Sequence, residues 1–132
     1  EMVRQCPETS FVLDHLACPP IASGDLSAWG GALLPMAELP NLCAKLSGLV
    51  TEADWERWSP RDVTPYLDLA LDAFGVERTM FGSDWPVCTL ASSYERWYEV
   101  FDGWAWMLSP TERAALLGGT AARVYRLEHR PA

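Results

Sequence analysis

Three short apolar runs recur along the chain, at Phe11 to His15, Leu42 to Ser47 and Arg78 to Gly82. The first shows no polar alternation until its end, as strands do in a parallel sheet covered on both faces. Stretches of helical spacing separate the runs. Asp25 predicts the cap of a helix reaching about Glu38, with Leu26, Trp29, Leu33, Leu34 and Ala37 near helical spacing. Ser59 before Pro60 predicts a second helix that reaches about Phe74 and closes at Gly75. Ser92 and Glu95 have capping-box spacing and open a helix to about Met107; Ser109 and Glu112 repeat the device for a short helix to about Leu117. Gly118 and Gly119 break that helix, and a last turn or two reaches Tyr125. Residues 1–6 read as the end of a helix, while Leu16 to Gly24 and Gly48 to Trp58 read as loops.

One helix stands between each pair of strands, so these are βα units and the strands should run parallel. Such units fit either an open doubly wound sheet or an arc of a (β/α)8 barrel. No glycine-rich phosphate loop follows any strand, which weakens the nucleotide-binding version. Side chains alternate along a strand. One face therefore carries Phe11, Leu13 and His15, then Cys43, Lys45 and Ser47, then Met80, Gly82 and Asp84. The opposite set of Val12, Asp14, Leu42, Ala44, Leu46, Thr79 and Phe81 points toward helices, with Asp14 as the misfit.

At 132 residues the chain is one domain or a piece of one. Its net charge of -8 argues against nucleic acid and anionic membranes as partners, since both would repel it. No apolar run approaches the roughly 20 residues needed to span a bilayer. Cys6, Cys18, Cys43 and Cys88 form no C-x-x-C pair, and they read as reduced thiols of a cytoplasmic protein. The seven tryptophans divide between core and pocket wall; Trp55 and Trp58 fit either role.

Two strand ends deliver groups suited to proton transfer or metal binding. His15 is followed by Pro19 and Pro20, and Asp84 by Trp85 and Pro86. Helix capping does not account for Asp84, because Trp-Pro follows it and the next good cap is Ser92. Lys45 within an apolar strand needs a partner or a function. This pattern points to a hydrolase site.

Phe11-Val-Leu-Asp-His-Leu-Ala17 with Pro19 and Pro20, Lys45-Leu-Ser-Gly-Leu-Val-Thr-Glu52, and Phe81-Gly-Ser-Asp-Trp-Pro-Val-Cys88 together resemble the amidohydrolase superfamily. The subgroup is the amidohydrolase-2 type, close to sugar-acid lactonases such as L-fuconolactonase and L-rhamnonolactonase. The resemblance implies an α/β fold, a (β/α)8 TIM barrel of about twice this length. This chain would supply strands six to eight, and residues 1–132 would be the C-terminal part of one barrel domain. The His-x-His pair of the first strand is absent, since only His15 and His129 are present and His129 sits near the tail.

The same resemblance implies hydrolysis of a lactone, a small-molecule substrate. Asp84 would be the base that activates water, and His15 would orient or polarise the carbonyl. Lys45, Ser47, Glu52 and Trp85 would bind substrate hydroxyls or carboxylate. One divalent metal, zinc first, would be ligated by His15 and Asp84 if one is used; some lactonases of the subgroup work without metal. Cys18 departs from the subgroup's usual lysine, and Thr120 stands where Asn-Ala commonly precedes the final Tyr. A non-catalytic barrel fragment or interaction module, with strand edges open to self-association, and a decarboxylase of the same superfamily are the competing readings.

Overall fold

The computed structural model describes residues 1–127, so His129 lies outside the described residues. Three parallel strands form one sheet in the order β1 (Phe11–Leu13), β2 (Leu42–Leu46), β3 (Thr79–Phe81). A short α1 (Met2–Gln5) precedes them. Each strand is followed by a helix: α2 (Leu26–Ala37), α3 (Pro60–Phe74) and α4 (Tyr94–Ala105). Then α5 (Pro110–Ala114) and α6 (Thr120–Val124) close the described chain. No helix among the described residues is long and apolar enough to cross a membrane.

Local chemistry accounts for most boundaries. The Asp25 carboxylate accepts a hydrogen bond from the Ala28 N–H at 3.0 Å and starts α2. Asp62 accepts from both the N–H and the hydroxyl of Ser59, and Pro60 sits where a missing N–H costs nothing. Gly75, at φ 73°, ends α3 in a conformation that strains any other residue.

Two boundaries differ from the sequence expectation, and the glycine break does not. Ser93, not Ser92, caps α4, accepting from the Arg96 N–H at 3.1 Å. The glycine pair interrupts the helix after α5 as expected: Gly118 leaves helical backbone at φ 179° and ψ -30°, within a π-turn over Ala115–Gly119 that leads into α6. β1 stops at Leu13, two residues short of His15.

The sheet register corrects the expected face of β1. Val12 pairs with Cys43, and Lys45 with Met80, so Val12, Cys43, Lys45 and Met80 share one face. Phe11 and Leu13 lie instead with Leu42, Ala44, Leu46 and Phe81 on the helix-covered core side. Both phases of an all-apolar Phe-Val-Leu strand satisfy alternation, and packing under the helices selects between them. Phe81 lies against Trp97, Tyr98 and Phe101 of α4, with the Phe101 centroid at 4.7 Å. In the same core Trp29 meets Tyr66 at 5.2 Å between ring centroids.

The Tyr66 hydroxyl is buried with no hydrogen-bond partner among the described residues, and burial raises its pKa above the ordinary phenol value. An unpartnered buried donor is a net cost of about 1–3 kcal/mol. We expect Tyr66→Phe in the complete gene product to match or exceed the parent in chemical denaturation. A midpoint that falls clearly would mean the hydroxyl has a partner in solution.

Candidate active site

The three strands end on one rim, and the chain after each is bent to bring side chains together. After β1, four consecutive non-glycine residues adopt left-handed backbone: His15, Leu16, Ala17 and Cys18, with φ between 47° and 55°. Left-handed backbone costs such residues roughly 1–2 kcal/mol each. The turn holds because Leu16 is completely buried and its carbonyl accepts the Trp29 indole N–H at 2.9 Å. The Cys18 N–H also bonds the His15 carbonyl at 2.8 Å.

This turn folds the imidazole back over the sheet. His15 Nδ1 lies 2.8 Å from Ser47 Oγ. Its Nε2 faces two carboxylates, Asp14 Oδ2 at 3.4 Å and Asp84 Oδ1 at 3.6 Å. The other oxygen of Asp14 receives the Lys45 ammonium at 2.7 Å. Thus His15, Lys45, Ser47 and Asp84 do meet, and they meet around Asp14, which sequence reading sent to the helix side.

The misassignment of Asp14 has the same root as that of β1. With Val12 on the inner face, the residue two further on follows it. The signal that could have found it was Lys45 itself, a cation in an apolar strand that needs an anion at the same level. Asp14 is held below the ordinary carboxylate range. Burial pushes it up, but the Lys45 hydrogen bond and the charges of His15 and Lys45 outweigh that effect.

The remaining expectations divide. Ser47 is fully buried, and its Oγ lies 2.8 Å from His15 Nδ1, behind the imidazole. Glu52 ends the turn Val50–Glu52 and lies against the Cys18 thiol. Burial first, and then the charges of Glu52, Asp84 and Asp14, push that thiol above its ordinary pKa. Trp85 stands out from the cluster with 68% of its surface exposed. It follows Asp84, itself left-handed at φ 57°, and its peptide bond to Pro86 is cis. Trp58 packs under its loop, its indole N–H held by the Ala91 carbonyl at 2.8 Å, whereas Trp55 is half exposed.

Two glycines let the pieces approach. A Cβ on Gly48, which sits at φ 71°, would lie 2.8 Å from His15 Cβ. A Cβ on Gly82 would lie 2.8 Å from Ser47 Cβ and 2.9 Å from Lys45 Cδ. Gly82 is fixed from behind by the buried Trp97, whose indole N–H bonds its carbonyl at 3.0 Å.

Among the described residues no group of three or more His, Cys, Asp or Glu side chains is arranged to hold a metal ion. His15 and Asp84 offer two donors, short of the three protein ligands of a catalytic zinc. The residues present therefore do not by themselves fit a metal. All four cysteines are unpaired thiols. A surface groove is lined by Trp106, Leu108, Pro110, Arg113, Ala114 and Leu117, away from the site residues.

Residues 1–127 match the family model described as Amidohydrolase. The chain belongs to the amidohydrolase family. It is 52% identical over 127 residues to an L-fucono-1,5-lactonase of Burkholderia multivorans, covering 89% of this chain and 43% of that protein. An L-fucono-1,5-lactonase of Burkholderia ambifaria is 41% identical, covering 95% of the chain and 44% of that protein. A solved amidohydrolase of Burkholderia multivorans with bound zinc superposes with a TM-score of 0.93 at 48% identity, covering 96% of this chain and 47% of that one. The chain therefore spans less than half the length of the relatives it matches. Its three βα units are an arc of the amidohydrolase (β/α)8 barrel, not an open doubly wound sheet.

The Gly48 geometry yields a direct test. Gly48→Ala adds a methyl group against His15 on a left-handed backbone, so the imidazole must move. Displacement of about 1 Å costs up to roughly 100-fold in turnover. We expect that order of loss in the complete gene product with its fold retained by circular dichroism; unaltered turnover would mean that the His15 position is not critical.

Proposed function

We propose that the protein is a hydrolase of sugar-acid lactones, with Asp84 as the general base and His15 as the group that polarises the carbonyl. One observation carries the reading: a histidine and a carboxylate from different strand ends meet 3.6 Å apart, with the imidazole anchored from behind by a buried serine. Similarity to two L-fucono-1,5-lactonases supports the substrate class.

In this reading the Ser47 hydroxyl donates to Nδ1, which keeps the imidazole proton on Nε2. That N–H faces the lactone carbonyl oxygen and stabilises the charge that develops there. Asp84 removes a proton from water as the water oxygen bonds to the carbonyl carbon. The tetrahedral intermediate then collapses, the bond from carbon to the ring oxygen breaks, and Asp84 returns the proton to that oxygen. The product is the open hydroxy acid. Lys45, Glu52 and Trp85 border the site as contacts for the substrate's hydroxyl groups.

The test is acid release from L-fucono-1,5-lactone and related sugar lactones by the complete gene product. We expect turnover, and a loss of about 100-fold or more in Asp84→Asn, whose amide cannot accept the proton. Full activity in that variant removes Asp84 as the base. Carbon dioxide release from an aromatic or enol acid in place of lactone opening would favour the decarboxylase reading. A stably folded oligomer without turnover would favour the non-catalytic one.

A further inference from the structure

We propose that Asp14 is a positioning residue of this site, acting through Lys45 to keep the ammonium off Asp84. The inference rests on the reading of Asp84 as base given above. Lys45 is gripped at two points. Its stem lies against Gly82, where an added Cβ would come within 2.9 Å of Cδ and 3.1 Å of Cγ. Its ammonium is drawn to Asp14 Oδ1 at 2.7 Å. The stem thus crosses the strand two residues before Asp84, and the headgroup is turned across the rim toward β1. Asp14 alone accounts for that turn: no other side-chain partner of the ammonium occurs among the described residues.

The arrangement separates two charges that attract each other. A carboxylate paired with an ammonium is a weaker base, because the cation stabilises its ionised form. With Lys45 engaged by Asp14, the imidazole is the one ion-pair partner of the 12%-exposed Asp84 carboxylate among the described residues. The second oxygen of Asp14 sits 3.4 Å from His15 Nε2, against 3.6 Å for Asp84, so the imidazole edge is balanced between two anions. The Asp14 side chain is more than half exposed; what it offers is the placement of Lys45 and His15.

The test is a double-mutant cycle in the complete gene product, with Asp14→Ala, Lys45→Met and the two combined. Asp14→Ala should lower kcat by about 10-fold or more, the scale of a misplaced catalytic environment. In the Lys45→Met background the same change should cost less than about 3-fold, because the cation it restrains is gone. Asp14→Asn keeps an oxygen for Lys45 and should recover most of the loss. Equal losses in both backgrounds, or no recovery by asparagine, would overturn the proposal.

A crystal structure of Asp14→Ala gives a readout that does not depend on turnover. The Lys45 ammonium should lie against Asp84; an ammonium in its original place, or turned to solvent, contradicts the proposal. A parent enzyme that opens no lactone removes the functional reading. Turnover with losses that multiply removes only the role of Asp14.

Discussion

The site depends on the left-handed turn at His15 to Cys18. The strand before it points its alternate side chains either into the helix-covered core or along the open face. Neither direction alone carries an imidazole to the next strand's end. Reversing the backbone hand does so, and it sets His15 against Ser47. Four non-glycine residues hold this conformation only because the surroundings determine it. Leu16 is sealed in the core and Trp29 bonds its carbonyl, so the strain is offset by packing that begins in α2.

The same device recurs around the rim. Trp97 holds the Gly82 carbonyl, Trp58 that of Ala91, and Trp55 that of Thr51. Each indole has a large apolar body and one donor, so it suits a junction between core and loop. Arg96 lies 4.1 Å from the Trp58 ring and donates to the Trp58 carbonyl, tying α4 to the loop after β2. The abundance of tryptophan in a short chain thus finds its explanation in loop anchoring more than in a pocket wall. Bare glycine at 48 and 82 completes the rim by allowing close approach.

Much of this was legible in the residues. Strand-helix alternation gave parallel βα units, and Ser59-Pro60 and Gly75 marked both ends of α3 by chemistry that is local. The inner face of β2 and β3 was also readable, since Lys45 and Asp84 stand out against apolar neighbours. The phase of β1 was not, because Phe11, Val12 and Leu13 are equally apolar and only the helices above them choose. That single ambiguity concealed Asp14. The left-handed turn was equally silent: His-Leu-Ala-Cys contains no glycine or asparagine to announce it. Its causes, Trp29 and the buried Leu16, are tertiary. Ser47 was found as a site residue, but its burial, and hence its role behind the imidazole, follows only from the fold.

The central claim is that this strand-end cluster is where a lactone is opened. The most direct measurement is a crystal structure of the complete gene product with an unreactive lactam analogue of the sugar lactone. The account predicts the ring carbonyl oxygen within hydrogen-bond reach of His15 Nε2, and Asp84 facing the carbonyl carbon across one water. An analogue bound away from these residues, or one that turns its carbonyl from His15 with Asp84 unengaged, would contradict it.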